Sequence, residues 1–498
     1  MTMKDNQKAQ RASEHLDVLI VGAGISGIGA AYNVQHQLSS RSFAVLDALE
    51  GPGGTWWTHR YSGARSDSDL YTYGYKFKPW SGRSIATADE IRDYLASVID
   101  ENDLASHIRY RHKVTTADWS SESKCWTVAV TQLDTGKTLT MTASFLWLCQ
   151  GYYDHQKGYV PEWSGMNRFQ GTMVHPQHWP QDLEYTDKRI VVIGSGATAA
   201  TLIPALVDRA EHVTMLQRSP TFFAAAPWAH ELEEPLRALN LPEEWFHEIL
   251  RRAHLARTTQ ITRMALEQPD ELRTMLLDDV RARLPEGFDV DKHFNPRYRP
   301  WQQRVAVVPD GDLFNAVGSG KASVVTDGIE HFDEKGIVLT SGERLDADIV
   351  VTATGFNLSL FGGVQFSVDG EAVEFPRHVT YRGIMINGLP NMAYIMGYFR
   401  FSWTLRVDLV SDYVCRLLQH MDSKGAGTVV PTLRPEDADM PILPWSDSKN
   451  FNAGYVMRSQ HLMHGRGDRE PWSHHLEYYE ERDSLPSVDL DDGVLLYN

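Results

Sequence analysis

The chain has 498 residues, enough for about two to four domains at roughly 100–200 residues each. Its 42% hydrophobic and 23% charged residues are those of a soluble globular protein, and no run of about 18 apolar residues offers a transmembrane helix. A formal net charge of −17 argues against a nucleic-acid partner, which requires clustered cations.

The amino-terminal stretch MTMKDNQKAQRASEHLD is polar and lacks the apolar centre of a secretory signal. Cys125, Cys149 and Cys415 are scattered, with no CxxC or zinc-ligand spacing. Together these point to a reducing cytoplasm without structural disulfides. The first chemical signal is LDVLIVGAGISGIG at 16–29. Val18 to Val21 predict a buried parallel strand, and Gly22, Gly24 and Gly27 follow in GxGxxG spacing. The first glycine permits a tight turn, the second a close approach by pyrophosphate, and the third close packing of the next helix. A second strand, FAVLD, ends at Asp47, placed to accept hydrogen bonds from a ribose hydroxyl.

Further along, FLWLCQG (145–151) and DIVVTATG (348–355) are two apolar strands that end in glycine. They are expected to carry the chain between two units. Between them RIVVIGSGATAA (189–200) repeats the loop as GxGxxA, with Gly194, Gly196 and Ala199. The strand after it ends in Gln217 and Arg218, and a cation in place of an acid favours a 2′-phosphate. The fold expected is therefore α/β with two Rossmann-like dinucleotide-binding domains, the second inserted in the first. Residues 1–152 and 376–498 form the FAD domain, and 153–375 the NADPH domain. Residues from about 228 to 300 lack strand patterning and are expected to be helices of the second domain. Arg251, Arg252 and Arg257 are assigned to a solvated helix face. Two dinucleotides in one chain suit hydride transfer from NADPH to FAD.

Residues 169–180, FQGTMVHPQHWP, carry the FxGxxxHxxxW pattern as Phe169, Gly171, His175 and Trp179, followed by Pro180. This stretch lies between the two glycine loops and resembles the fingerprint of type I Baeyer–Villiger monooxygenases, a class of flavoprotein monooxygenases. GGTWWTHRYSGARSD at 53–67 resembles a second motif of that family, with Ser62 where proline is usual. The likeness spans nearly the whole chain. It is strongest to the mycobacterial ethionamide-activating subgroup, through RSDSDLYT, HVTMLQRSPT and SWTLRVDLVS.

The resemblance implies an NADPH- and O2-dependent enzyme that converts ketones to esters or lactones through a peroxyflavin, and oxidises sulfides as well. It implies Arg304, in YRPWQQRVAVVPDGDLF, as the catalytic arginine and Asp67 as its partner, with Gln303 where a lysine is common. Gly54 and Trp56 are implied at the flavin. His175 is implied as a linker residue that couples coenzyme binding to domain movement, not as a metal ligand. The second histidine, His178, adds no Cys, Asp or Glu at zinc-site spacing. Asp67 could instead cap the SDSDLYT turn, and Trp56, Trp57 and Trp403 could stack on the flavin or simply pack. A flavin monooxygenase acting mainly on sulfur or nitrogen, and a non-catalytic NADPH-binding flavoprotein sensor, remain alternatives. A disulfide reductase does not, for want of a cysteine pair. The substrate and the oligomeric state stay open.

Overall fold

The computed structural model describes residues 14–475 and 477–498; most of the polar amino-terminal stretch lies outside them. Strand Glu14–Val21 pairs in parallel with Phe43–Leu46 on one side and Thr138–Leu148 on the other. Its side chains are buried on both faces of the sheet. Val18 and Ile20 pack into one core layer, Leu19 and Val21 into the opposite one. A strand covered on both faces needs a continuous apolar run rather than alternation. By contrast, Cys125–Gln132 buries Trp126, Val128 and Val130 on alternate positions, as an antiparallel strand with one wetter face does.

Thr138–Leu148 is the branch point of this first sheet. Its opening residues pair antiparallel with Cys125–Gln132, and Leu146 to Leu148 pair in parallel with Met392–Tyr394. The second sheet is wholly parallel, in the order Ala322–Thr326, His212–Gln217, Arg189–Ile193, Ile349–Thr352, Thr172–Val174. The chain leaves the first sheet after Leu148 and re-enters it at Gln365–Val368, which pairs in parallel with His112–Ser120. That return precedes the expected one near 376. Gln365–Val368 is a short strand, next to the edge strand Glu371–Ala372, with one buried aromatic, Phe366, and has no apolar run to announce it. The two crossings, Tyr153–Gly158 and Phe356–Leu358, pair antiparallel with each other, so the units are joined by a two-stranded ribbon.

Helices Glu233–Ala238, Glu243–Glu267, Pro269–Arg283 and Val290–Phe294 fill the stretch without strand patterning. They do not pack on the second unit alone. Leu277 and Val280 of Pro269–Arg283 join the second unit's core, whereas Phe246 and Leu250 of Glu243–Glu267 join the first unit's. Arg251 turns inward from the same helix and donates from Nη1 to the Tyr71 carbonyl at 2.8 Å. It is not on the solvated face where Arg252 pairs with Glu248. The insertion thus straddles both units. Among the described residues no helix is long and apolar enough to cross a membrane.

Candidate active site

The two glycine loops have the same construction. Gly22 has φ +105°, and a Cβ there would lie 2.7 Å from the Cys149 backbone. Gly194 has φ +127°, and its Cβ would lie 2.3 Å from the Ala353 carbonyl oxygen. In each case the backbone leaving a neighbouring strand passes too close for any side chain. Gly27 is closed by packing as well, since its Cβ would lie 1.7 Å from the Gly22 oxygen. The middle glycines differ. Gly24 has φ −79°, open to any residue, and its Cβ would make only ordinary contact with the Gly53–Gly54 backbone, Gly54 Cα being nearest at 3.6 Å. Gly196 also has φ −79°, and a Cβ there would meet nothing within 4 Å. The protein itself does not need glycine at either position. The space is kept for a ligand.

That space is a single cavity of about 1590 Å³ into which both loops open, larger than the roughly 300–1,000 Å³ of an ordinary small-molecule pocket. Helices Ile25–Gln37 and Ala197–Leu206 begin at Gly24 and Gly196 as their N-caps, and free N–H groups at a helix start favour a pyrophosphate. Gly22, Gly24, Asp47, Gly54, Trp56, Asp67, Gly194, Gly196, Arg218 and Arg304 all line the cavity. Gly27, Ala199 and His175 do not. The first two are packed between helix and strand, and His175 stands behind the wall.

At the strand ends the loops diverge. Asp47 is buried, and its carboxylate accepts from the N–H groups of Ala23 (2.5 Å) and Leu49 (2.7 Å). Burial pushes its pKa up against those two donors. In the second unit Gln217 is turned inward, donating from Nε2 to the His293 carbonyl (2.7 Å) and to Thr326 Oγ1 (2.9 Å). Arg218 is exposed at the cavity and forms no ion pair among the described residues.

Arg304 and Asp67 come together, with Nη1 4.0 Å from Oδ2. Their side chains are 34% and 27% exposed, and both line the cavity. Burial works against the Arg304 charge, yet its pKa is held above the ordinary value, the Asp67 carboxylate being one of the charges that raise it. Asp69, not Asp67, caps the helix Leu70–Tyr73, accepting from Thr72 N at 2.8 Å. Trp56 donates to the Tyr73 hydroxyl and Trp403 to Ser26 Oγ, each at 2.8 Å, and both indoles line the cavity. Trp57 packs beneath Arg60, whose guanidinium lies 4.2 Å from the ring centroid.

The turn at Ser62 seats on the second unit. A Cβ on Gly63 would lie 2.6 Å from Ala205 Cβ, and Thr201 Oγ1 meets the Tyr61 hydroxyl at 3.3 Å. The Phe169 ring covers Gly171, and the His175 imidazole lies against Gly158, where a Cβ would be 2.0 Å from the ring. His178 Nε2 donates to the Gln156 carbonyl at 2.9 Å. Both histidines therefore grip the ribbon between the units. Burial lowers the pKa of His175.

Sequence reasoning missed two further histidines here, His59 and His155. Burial, helped by His155 and His175, pushes His59 down to about 4. The described residues contain no group of three or more His, Cys, Asp or Glu suited to a metal ion. Tyr152, Tyr153 and Tyr455 around Arg304 were also missed; no local pattern marks them, because their meeting is tertiary.

Residues 84–232 match the family model described as flavin-binding monooxygenase-like, and residues 20–81 that of an NAD(P)-binding Rossmann-like domain. The chain is 46% identical to the FAD-containing monooxygenase EthA of Mycobacterium tuberculosis, over 97% of this chain and 98% of that one. An oxidized steroid monooxygenase bound to NADP superposes over 97% of this chain and 99% of its own, with a TM-score of 0.74 at 23% identity. An epsilon-caprolactone-bound cyclohexanone monooxygenase covers 85% of this chain and 91% of its own, with a TM-score of 0.70 at 20% identity. At such identities the solved structures speak for the fold. Two glycine loops opening on one cavity, and a relative of this similarity across almost the full length, place the chain in the flavin-binding monooxygenase-like family.

Proposed function

We propose that the protein is an FAD-, NADPH- and O2-dependent monooxygenase of Baeyer–Villiger type, converting ketones to esters or lactones and oxidising sulfides as a second activity. The observation that carries this reading is Arg304 beside Asp67 in the cavity shared by the two glycine loops. The middle glycines fit the two dinucleotides, since each keeps open a space that a side chain would fill. Gly22, Gly24, Gly54 and Asp47 would hold FAD, and Gly194, Gly196 and Arg218 would hold NADPH. Flavin reduced by NADPH supplies the activation of O2.

The chain's own residues then have distinct tasks. Arg304 cannot lose its proton and keeps a positive charge where negative charge develops on a ketone oxygen under attack. Asp67 orients the guanidinium. Trp56 and Trp403, each held by one hydrogen bond, give the cavity fixed apolar walls that limit water. His175 and His178, gripping the ribbon, would transmit coenzyme binding to the domain arrangement. The name of the caprolactone-bound neighbour agrees with a ketone-to-lactone reaction.

Product analysis of the purified protein with NADPH, a ketone panel and a thioether panel tests the proposal. Ester or lactone is the expected product. Sulfoxide alone would instead indicate a sulfur- or nitrogen-oxygenating enzyme, and oxygen-independent flavin chemistry a sensor.

A further inference from the structure

We infer that Arg400 and Glu477 are positioning residues for Arg304: their buried ion pair locks the loop 298–303 and thereby aims the Arg304 guanidinium into the cavity. The inference rests on the role proposed above for Arg304. That guanidinium is not fixed by its own contacts. Its one ion-pair partner among the described residues is Asp67, at 4.0 Å, too far for a hydrogen bond. Its direction therefore follows from the backbone that carries it.

That backbone is strained. Trp301, three residues before Arg304, has φ +59°, a left-handed conformation that a bulky residue holds only when its surroundings impose it. Arg400 Nη2 donates to the Trp301 carbonyl at 3.5 Å and to the Asn450 carbonyl at 3.0 Å. From the loop itself, Arg299 Nη2 donates to the same Asn450 carbonyl, also at 3.0 Å. Asn452 N donates to the Gln302 carbonyl at 2.8 Å and closes the junction. Arg400 is followed by Phe401 and Trp403, and Asn452 by Ala453 to Tyr455, all of which line the cavity. One guanidinium thus ties three segments of the cavity wall together.

Two cations that meet at one carbonyl repel each other. The Arg400 side chain is 0% exposed and that of Glu477 4%, so water screens them little. Glu477 supplies the balancing charge. Its Oε1 accepts from Arg400 Nη1, and among the described residues no other carboxylate pairs with Arg400 or Arg299. Burial pushes the Glu477 carboxyl up to about 7 although Arg400 pulls it down, so it is ionised above that pH. Glu477 is also placed independently of Arg400. Four residues on, Glu481 accepts from Arg406 Nε and Nη2, each at 2.9 Å. A neutral amide at 477 therefore keeps its segment in place and leaves Arg299 and Arg400 unbalanced. Unbalanced buried charge is costly, and the strained loop is what yields.

Two readouts on FAD-loaded protein at pH 8.5 test this. The first, hydrogen–deuterium exchange, needs no substrate. Glu477→Gln should raise exchange in residues 297–305 and leave both glycine loops and the flavin content as in wild type. The second is a double-mutant cycle with Arg304→Ala, following ester formation from 4-phenylcyclohexanone with NADPH. Glu477→Gln alone should lower ester about tenfold or more, the range of one charge-assisted hydrogen bond, at unchanged KM for NADPH and with hydrogen peroxide in its place. In the Arg304→Ala background it should lower ester no further, because the residue through which it acts is gone. A loss that adds to that of Arg304→Ala marks general packing and overturns the inference, and so does unchanged exchange. If Glu477→Gln fails to fold, Arg400→Lys, which keeps the charge and loses the planar fork, is judged by the same outcomes. A wild-type protein that forms no ester, with the exchange of 297–305 raised in the variant, sinks the functional reading and leaves the positioning of Arg304 standing; ester from wild type with unchanged exchange does the reverse.

Discussion

The two glycine loops share one backbone and carry opposite charges at the neighbouring strand end. Both begin with a left-handed glycine wedged against a departing strand, and both continue through a middle glycine that only a ligand requires. In the first unit the strand end is Asp47, buried and tied by two N–H groups into its own loop. In the second the matching side chain, Gln217, is turned into the protein, and Arg218 reaches the cavity instead. If the loops hold the two dinucleotides as proposed, the backbone would set where a pyrophosphate sits, and one side chain at the strand end would set what its ribose carries. A buried acid suits a diol. A free guanidinium suits a phosphate.

The sharpest way to break this contrast is to fill each middle glycine in turn. Gly24→Val should fold, because its φ is ordinary and its nearest neighbour would be 3.6 Å away, and it should purify colourless. Gly196→Val should keep full flavin absorbance and lose reduction by NADPH. A yellow Gly24→Val protein would mean that the first loop does not hold FAD.

Next in size is the residue between the loops. Arg304→Ala removes one preorganised charge and should lower ester formation roughly 10²–10³-fold. The variant should still bind FAD and accept hydride, with the oxygen consumed appearing as hydrogen peroxide. Ester at wild-type yield would assign the role elsewhere. Asp67→Ala should give a smaller loss in the same direction, because the charge remains and only its orientation suffers.

Arg218→Ala addresses the contrast directly. A charge-assisted hydrogen bond is worth about 1.5–3 kcal/mol, so KM for NADPH should rise about tenfold to a hundredfold while KM for NADH barely moves. Equal rises for both coenzymes would make Arg218 structural.

The smallest effect concerns the joint between the units. His59, pushed down to about 4, stays neutral in the fold while the unfolded chain takes up a proton below about 6.5. Stability should therefore be complete above that value and be lost as pH falls from about 6.5 towards 4. The loss is about 1 kcal/mol by pH 5.5. Denaturant unfolding at pH 7.5 and 5.5 should show this decline, and His59→Asn should remove that part of it. An unchanged slope in the variant would mean that His59 is not the group responsible.

Much of the fold and part of the site were legible in the residues themselves, because their causes are local. A continuous apolar run means a strand buried on both faces, and GxGxxG spacing encodes a turn, a gap and a close helix within six residues. The same holds for the Gln217–Arg218 strand end, a matter of one position in one strand. Arg304 and Asp67 were legible only through likeness to a family, since nothing in their own neighbourhoods points from one to the other. The rest was decided by packing. The early return of the chain at Gln365–Val368, the helix Glu243–Glu267 that anchors in the first unit's core, and Tyr455 carried to Arg304 by the bond from Asn452 to Gln302 all join segments distant in sequence. Such meetings depend on which surfaces fill one another's space once both sheets have formed, and no local periodicity records that.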